Sequence, residues 1–592
     1  MVKMKPLHPR AFEARDLARR RFVQGLIAGG VLAGLPPWMS SARAEQGVAT
    51  ATGTAPELRG TQFDLTVSAL PVDMTGRPRI ATVVNGSLPA PTLRMREGDT
   101  VTLRVTNRLS EMTAIHWHGV ILPYEMDGVP GVSFHGIQPG ETFVYRFKVR
   151  QSGTYWYHAH TLHEQTGLYG AIIIDPAEGG HAGADRDYVV QLSDWTDEEP
   201  LALLMKLKKQ SDYYNFAQPT AGDFLRDVSA AGLAAALDKR RMWNQMRMNP
   251  TDLADVSGYT YTYLMNGTAP AGNWTGVFRP GERVRLRFIN AGTATFFDVR
   301  VPGLALTVIQ TDGQNVEPVT VDEFRIGPGE TYDVFVTPED SAYTIFAQAM
   351  DRSGFARGTL APRSGMAADV PALEEPQWLT MNDMMGAMHD AAVSPESGMG
   401  GMSGMDHSAH DGSGMGGARV PVRHASSEFG PEVDARVDMP RTNLDDPGTG
   451  LRDNGRRVLT YADLHTVGGP MDSRGAAREI ELHLTGNMER YIWSIDGLPF
   501  ERSSPIHFRH GERLRVILHN DTMMTHPMHL HGMWSELEAE NGAFQVRKHT
   551  INVQPAQRVS FLVTADAPGH WAWHCHLLYH MAVGMFRQVV VA

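Results

Sequence analysis

Gly98-Asp-Thr-Val-Thr-Leu-Arg-Val-Thr-Asn107 decides the fold, because the chain carries the same pattern three times. The second copy is Gly281-Glu-Arg-Val-Arg-Leu-Arg-Phe-Ile-Asn290, and the third is Gly511-Glu-Arg-Leu-Arg-Val-Ile-Leu-His-Asn520. Each copy starts at a glycine turn and ends at asparagine. Apolar and polar residues alternate between these two ends, which is typical of a half-buried strand.

Two further strands are predicted after each copy. A second turn and strand come first, at Pro139-Gly-Glu-Thr-Phe-Val-Tyr, Pro328-Gly-Glu-Thr-Tyr-Asp-Val and Pro555-Ala-Gln-Arg-Val-Ser-Phe. A third strand then arrives, at Thr154-Tyr-Trp-Tyr, Tyr343-Thr-Ile-Phe and Trp571-Ala-Trp. Short alternating strands separated by Gly/Pro turns indicate β-sandwiches or barrels, and three copies indicate three such domains. The predicted fold class is therefore all-β.

The repeat and the local composition predict the domain boundaries. Domain 1 is placed at residues 55–182, domain 2 at 183–365 and domain 3 at 455–592. The stretch from Asp223 to Met248 predicts a helical insertion in domain 2, because apolar residues recur there with no turn breaker except Gly232. Residues 366–454 are rich in Gly, Met, Ser, Pro and His, a composition that predicts a linker.

The first 44 residues predict an export signal. Arg19-Arg20-Arg21-Phe22 precedes an apolar run from Gly25 to Leu35, and Ala42-Arg43-Ala44 fits a small-residue cleavage site. The arginines resemble a twin-arginine signal, which is known for exporting folded proteins, so a periplasmic location is expected. The apolar run is too short for a membrane span, which needs about 20 residues, and no other stretch looks transmembrane.

The net charge argues against a nucleic-acid-binding protein, and the cysteine content excludes a protein held together by disulfides. The net charge of −12 argues against a nucleic-acid partner, because phosphate binding needs a basic face. The chain has one cysteine, Cys575, so no intramolecular disulfide can form. The chain is expected to be a monomer that acts on small molecules.

Histidines recur in pairs of the form His-x-His. The four pairs are His116/His118, His158/His160, His529/His531 and His574/His576. Residues two apart in a strand point to one face, so each pair offers two imidazoles on the same side. The first and third pairs both lie nine and eleven residues after the asparagine of their repeat. Four pairs from two homologous domains predict one shared metal site at the interface of domains 1 and 3.

The middle copy of the repeat lacks these histidines. Val299 and Val301 stand nine and eleven residues after Asn290, and Phe346-Ala-Gln348 replaces the second pair. Domain 2 is therefore predicted to hold no catalytic metal.

Cys575 has the neighbours of a blue copper ligand. It lies between His574 and His576, so strand alternation points its sulfur to the opposite face. His526, His580 and Met585 complete the set of two imidazoles, a thiolate and a weak thioether that is typical of an electron-transfer copper. Met585 alone would be read as core packing. Electrons from the substrate would enter at this copper, and the histidine cluster would reduce dioxygen to water.

Together these motifs resemble the four copper motifs of multicopper oxidases. They are His116-Trp-His118-Gly, His158-Ala-His160, His526-Pro-Met-His529-Leu-His531-Gly and His574-Cys575-His576-Leu-Leu-Tyr-His580. The resemblance covers nearly the whole chain after the signal, and it implies three cupredoxin-like Greek-key domains with four coppers per chain. It also implies the ligands: His526, Cys575, His580 and Met585 for the type 1 ion, and His116 and His529 for type 2. The type 3 pair would take His118, His158 and His576 on one ion, and His160, His531 and His574 on the other.

Finer features resemble the bacterial copper-resistance protein A branch of that family, which is periplasmic and protects cells against copper. They are Leu192-Ser-Asp-Trp-Thr-Asp197, Lys208-Lys-Gln-Ser-Asp-Tyr-Tyr-Asn215 and Pro250-Thr-Asp-Leu-Ala-Asp-Val-Ser-Gly258.

Two acidic residues are candidates for proton relay, because related oxidases use carboxylates near the copper cluster. Asp127 matches one such position, although an ordinary Asp-Gly turn with Gly128 is an equal reading. Glu164 follows the second histidine pair, and the alternative for it is a solvated loop carboxylate. Some relatives have a glutamate directly after the last blue-copper histidine, where this chain has Met581.

A Met/His-rich segment favours Cu(I) as the substrate. Thioethers are soft ligands that select Cu(I), and the glycines between them keep the segment from packing into a core. Its candidate ligands are Met381, Met384, Met385, Met388, His389, Met399, Met402, Met405, His407, His410 and Met415. The alternatives are a laccase-like oxidase of phenols or amines, a periplasmic copper store, and a linker with no role.

Overall fold

The computed structural model describes residues 55–178, 183–386 and 422–592. Within these ranges, six β-sheets stack in pairs as three consecutive sandwiches, which confirms the predicted all-β class. The predicted export signal, residues 1–44, lies outside the described residues. No helix in the described ranges is long and apolar enough to cross a membrane.

The first sandwich pairs a four-stranded sheet, in the order β3-β2-β5-β7, with a five-stranded sheet, β1-β4-β9-β8-β6. The predicted repeat strand is β5, and it pairs in antiparallel fashion with β7, the strand after the second turn. The strands are β1 (Glu57–Arg59), β2 (Gln62–Asp73), β3 (Pro78–Val84), β4 (Ala90–Arg96), β5 (Thr100–Asn107), β6 (His116–His118), β7 (Thr142–Lys148), β8 (Gly153–His158) and β9 (Tyr169–Asp175).

The second sandwich pairs sheet β11-β10-β13-β18-β15-β16 with sheet β12-β20-β19-β14-β17. Its repeat strand, β13, again pairs with the strand after the second turn, β18. The strands are β10 (Arg186–Trp195), β11 (Thr262–Met265), β12 (Trp274–Val277), β13 (Val284–Asn290), β14 (Phe297–Arg300), β15 (Leu306–Thr311), β16 (Gln314–Val321), β17 (Glu323–Ile326), β18 (Thr331–Val336), β19 (Tyr343–Ala349) and β20 (Phe355–Ala361).

The third sandwich has the same arrangement, with sheets β22-β21-β24-β29-β26-β27 and β23-β31-β30-β25-β28. The repeat strand β24 pairs with β29. The strands are β21 (Arg478–Asn487), β22 (Ile492–Ile495), β23 (Ile506–Phe508), β24 (Arg513–Asn520), β25 (His526–Leu530), β26 (Ser535–Glu538), β27 (Phe544–Lys548), β28 (Thr550–Val553), β29 (Arg558–Thr564), β30 (Gly569–Cys575) and β31 (Phe586–Val591).

The asparagine that ends each repeat strand holds the loop leading to the next sheet. Asn107 Nδ2 donates to the carbonyls of Glu111 and Ile137, and Asn520 Nδ2 donates to those of Met524 and Val553. Asn290 makes the equivalent pair of bonds in the second sandwich. A buried amide must satisfy its donors, so these bonds fix the path of the loop. In the first and third sandwiches that loop delivers the histidine strands β6 and β25.

Five helices lie in the described ranges. They are α1 (Pro200–Lys209), α2 (Ala221–Ala231), α3 (Leu233–Met246), α4 (Met381–Met385) and α5 (Leu578–Val583). The predicted helical stretch from Asp223 to Met248 is therefore two helices, separated at Gly232, whose φ of 85° favours glycine. The sequence did not predict α1.

Several described residues of the predicted linker, 366–454, are buried against the sandwiches, although none of residues 366–378 is buried. Leu379 and Met384 are each 4 % exposed, and Leu444 and Leu451 are also buried. Arg452 forms ion pairs with Asp383 and Asp446. Burial of apolar surface stabilises these side chains in place, although the glycine-rich composition of the stretch had predicted no packing.

Candidate copper centres

The four histidine pairs lie at the ends of strands in the first and third sandwiches. Strand β6 carries His116 directly opposite His158 of β8, and β25 carries His529 directly opposite His574 of β30. All eight histidines are buried. The two sandwiches therefore present their paired strand ends to one shared interior space.

Three groups of histidines form in that space, and the first two share His118. Within each group, the nitrogens that could bind a metal lie within 4.8 Å of one another. His118 Nδ1 lies 3.2 Å from His576 Nε2, across the boundary between the two sandwiches. His574 Nε2 lies 3.2 Å from His160 Nε2 and 3.1 Å from His531 Nε2. The groups are His116, His118 and His529; His118, His158 and His576; and His160, His531 and His574.

The nitrogens that face the interior fit metal coordination. Nε2 of His116, His158 and His529 is buried and has no hydrogen-bond partner in the structure. The other nitrogen of each ring is held by its neighbours, with His116 Nδ1 2.8 Å from the Asp127 carbonyl and His529 Nδ1 2.6 Å from the His549 carbonyl. Such bonds fix the tautomer and aim the free lone pair, as at known metal sites.

Cys575 lies on the opposite side of β30 from its neighbours. Its sulfur is 3.5 Å from His526 Nδ1 and 3.8 Å from His580 Nδ1, and these two nitrogens are 3.2 Å apart. A soft sulfur with two imidazoles suits copper. Met585 is fully buried, and its backbone accepts a bond from Cys575 and donates one to His580.

Burial sets the protonation of these groups. It lowers the pKa of His574 to about 4. It also lowers the pKa of His118, His158, His160, His526, His529, His531 and His576 well below the usual value. These imidazoles are therefore neutral near pH 7, as metal ligands must be. Burial raises the pKa of the Cys575 thiol well above its usual value, so bound metal is needed to hold the thiolate.

Asp127 contacts histidines of both sandwiches. Its Oδ2 lies 2.9 Å from His531 Nδ1, while its backbone carbonyl accepts from His116 Nδ1. The residue is 1 % exposed, at the end of the 3-10 turn Tyr124–Met126. The Asp-Gly turn is present, and the same residue also orients two histidines.

Glu164 is a buried carboxyl and not a solvated loop residue. It lies in the 3-10 turn Leu162–Glu164, 2 % exposed, with Oε2 2.8 Å from His158 Nδ1. Burial, with a smaller contribution from the charge of Asp194, raises its pKa well above the usual range. The shift favours the protonated form of this carboxyl relative to that of an exposed glutamate.

Three residues around the Cys575 group were not predicted from the sequence. Asp255 Oδ2 lies 3.0 Å from His580 Nε2, Thr522 Oγ1 lies 2.7 Å from His526 Nε2, and Trp493 stacks on His580 with ring centroids 3.9 Å apart. Thr522 could have been noticed, since it follows the repeat asparagine by two residues. Asp255 and Trp493 lie in segments that contain no histidine pair of the form His-x-His, so the sequence offered no signal for them.

The methionines of the Met/His-rich segment lie only partly in the described residues. Met384 is buried, and Met381 and Met385 pack against the core beside it. The remaining candidates lie outside the described residues; they are Met388, His389, Met399, Met402, Met405, His407, His410 and Met415. Met528, which pairs with Cys575 across β25 and β30, is buried, as are Met533 and Met581.

The middle sandwich has apolar residues in place of the histidines. Strand β14 pairs Val299 with Ala347 of β19, so Ala347 occupies the position equivalent to His158. The repeat had placed Phe346-Ala-Gln348 there. Ala347 lies 19 residues after Pro328, as His158 does after Pro139, so the predicted position was one residue too early.

Family models described as multicopper oxidase match residues 66–179, 186–364 and 474–592. The chain belongs to the multicopper oxidase family, and it is an oxidoreductase. Copper resistance protein A of Escherichia coli is 56 % identical to it, over 97 % of this chain and 99 % of that protein. A Copper resistance protein A homolog of Pseudomonas syringae pv. tomato is 55 % identical, with the same coverage. The predicted resemblance is confirmed.

Solved structures show the same fold at low identity. Fet3p, a multicopper oxidase that functions in iron import, has a TM-score of 0.62 at 18 % identity, covering 90 % of each chain. The laccase of Botrytis aclada has a TM-score of 0.59 at 21 % identity, covering 91 % of this chain and 88 % of that one. These likenesses support the three-sandwich architecture.

Proposed function

We propose that this chain oxidises Cu(I) to Cu(II) at a type 1 copper and reduces dioxygen to water at a type 2 and a type 3 centre, with four coppers in all. The placement of Cys575 carries the proposal. Its sulfur faces His526 and His580, while His574 and His576 on either side of it reach two different histidine groups. One short strand thus joins the two kinds of site through covalent bonds.

The proposed division of the ligands follows the family resemblance. His116 and His529 would hold the type 2 ion, and His526, Cys575, His580 and Met585 the type 1 ion. For type 3, His118, His158 and His576 would hold one ion and His160, His531 and His574 the other. Bound copper would supply the redox chemistry, taking single electrons from the donor and delivering them to dioxygen.

Protein groups would orient the ligands and supply protons. Asp127 would position both His531, through its carboxylate, and His116, through its backbone carbonyl. Water formation consumes protons, and the raised pKa of Glu164 favours its protonated form beside His158, so Glu164 is placed to serve as a proton donor. Asp127 and Glu164 would thus have different roles, because the first would orient ligands and the second would supply protons.

Two observations favour Cu(I) as the donor. The two copper resistance proteins described above share more than half of their aligned residues with this chain. The outer nitrogen of His580 faces Asp255, which is 4 % exposed, and a carboxylate at that edge attracts a cation more than a neutral phenol. A laccase-like activity on phenols or amines is the second candidate, because relatives at lower identity include laccases.

Oxygen uptake by the copper-loaded protein, with Cu(I) and a phenol as competing donors, tests this proposal. We expect Cu(I) to be preferred, and Asp255→Asn to reduce Cu(I) oxidation more than phenol oxidation. Asp238→Asn is the control, because that carboxylate is 66 % exposed on the neighbouring helix α3. Equal losses for both donors would assign Asp255 to the support of His580, and a preference for the phenol would favour the laccase-like reading.

We further propose that the protein works in the periplasm as a monomer, exported by the arginine-containing signal at residues 1–44. Changing Arg19 and Arg20 to lysine should leave the precursor in the cytoplasm. Undiminished export of that variant in cells lacking other routes would contradict the proposal.

A further inference from the structure

Four buried metal-ligating side chains meet in the third sandwich, apart from the histidine groups described above. They are His424 and Glu428 at the 3-10 turn Ser426–Phe429, His483 on β21, and Asp521 just after β24. We infer that these four residues bind one divalent cation of the Zn²⁺ or Cu²⁺ class. The inference does not rest on the proposed oxidase activity, since none of the four belongs to the copper groups.

The donor atoms alternate around a small ring. His424 Nδ1 lies 2.7 Å from Glu428 Oε2, which lies 3.4 Å from His483 Nδ1. His483 Nδ1 is 2.7 Å from Asp521 Oδ2, which is 3.7 Å from His424 Nδ1. Ligands around a tetrahedral zinc with bonds of about 2.0–2.1 Å are about 3.3 Å apart. The observed separations bracket that value.

Both carboxylates are held so that one oxygen faces the ring. Glu428 Oε1 accepts from the backbone N–H of Ala425, and Asp521 Oδ1 accepts from that of Val437, each at 2.9 Å. Glu428 Oε2 and Asp521 Oδ2 face the ring, each 2.7 Å from a histidine Nδ1, and a bound cation would take the place of the bridging protons. Fixed second oxygens are a feature of assembled metal sites, because they set the direction of the coordinating oxygen.

The Nδ1 atoms of both imidazoles face the carboxylates of the ring, which makes Nδ1 the nitrogen available to the ion. The outer nitrogens, His424 Nε2 and His483 Nε2, are buried and have no hydrogen-bond partner in the structure. The nearest carboxylate oxygens are Asp438 Oδ1 at 3.3 Å from the first and Glu481 Oε1 at 3.7 Å from the second.

Burial demands a positive charge in this cluster. The side chains of Glu428 and Asp521 are 1 % and 0 % exposed, and buried carboxylates need compensation. A divalent ion supplies two charges and leaves both Nδ1 atoms as electron donors. Imidazole and carboxylate ligands without sulfur favour Zn²⁺ or Cu²⁺ over Cu(I).

Equilibrium dialysis of the copper-loaded protein tests the inference, with Zn²⁺ alone in one arm and Cu²⁺ alone in the other. We expect one additional ion per chain in at least one arm, and the arm with tighter binding identifies the ion. The double variant Glu428→Gln, Asp521→Asn should lose that ion and keep its four coppers. The control is His135→Gln, Glu141→Gln, which removes a surface pair 3.2 Å apart with side chains 59 % and 31 % exposed.

Absence of the additional ion from the wild-type protein would overturn the inference, and the cluster would then be balanced by protons alone. Retention of the ion by a folded double variant would also overturn it. If the double variant does not fold, X-ray absorption at the zinc edge of the wild-type protein decides. A shell of nitrogen and oxygen with two imidazoles supports the site, and a shell containing sulfur contradicts it.

Discussion

Asp127 Oδ2 of the first sandwich lies 2.9 Å from His531 Nδ1 of the third, across 404 residues of chain. The same aspartate accepts from His116 through its backbone carbonyl. One buried residue therefore sets the orientation of a ring from each half of the histidine cluster, and the two halves depend on each other for their geometry.

Replacing Asp127 with asparagine should lower turnover with every donor by about 10–100-fold, the usual cost of losing a residue that orients a metal ligand. The backbone bond to His116 would remain, so copper content should fall little. Steady-state oxygen uptake and metal analysis measure the two effects. Asp64→Asn is the control, because that side chain is 74 % exposed in the same sandwich. Unchanged turnover in the Asp127 variant would contradict the positioning role.

Replacing Cys575 with serine should abolish the thiolate-to-copper absorption and reduce oxidase activity to background. The side chain is fully buried between His526 and His580, and serine is close to it in size, so the fold should survive. Visible absorption and thermal unfolding check both points. Blue colour in the variant would remove Cys575 from the type 1 site.

The methionines outside the described residues should matter only for Cu(I). Changing Met388, Met399, Met402, Met405 and Met415 to serine should lower Cu(I) oxidation at scarce copper severalfold, because tethered ligands raise the local concentration of captured ions. Oxidation of a small phenol should hold or rise. The control changes Met205 and Met471, which are 59 % and 67 % exposed. Loss of both activities would indicate a structural segment, and loss of neither would indicate a linker.

Copper uptake by the histidine groups, measured in the metal-free Cys575→Ser variant so that no thiol proton is released, should change little from about pH 7.5 to 5.5. Burial holds the pKa of His529 and His531 well below the ordinary value near 6.5. A lowered pKa means that protons compete with copper only at a lower pH, so occupancy should stay constant as pH falls through 6.5. Equilibrium binding at fixed free copper measures this from about pH 5.5 to 7.5. Half-maximal uptake near pH 6.5 would contradict it.

Local patterns predicted the strands, and they predicted histidine and cysteine groups that the structure brings together. Alternation in Gly98–Asn107 and the spacing of His116 and His118 are properties of a single strand, so they can be read without knowing the fold. The repeat then placed His529 in register with His116. The structure shows why the register recurs, since Asn107 and Asn520 hold equivalent loops before the histidine strands.

Contacts between distant segments could not be predicted in this way. Asp255 reaches His580 from the loop after α3, and no spacing in either segment indicates the other. The cluster of His424, His483 and Asp521 joins three segments for the same reason. The sequence predicted that Met384 belongs to an unpacked segment, because the prediction rested on the average composition of that segment. A single apolar side chain can still be buried in such a segment, as Met384 is.

The stoichiometry of oxygen consumption tests the central claim most directly. Copper-loaded protein supplied with Cu(I) should consume one dioxygen for four Cu(I) oxidised and release no hydrogen peroxide, because water formation needs four electrons. Cys575→Ser should abolish this coupled reaction while leaving the histidine groups in place. A ratio of two Cu(I) per dioxygen with peroxide released, or coupled turnover that survives in the Cys575 variant, would contradict the account.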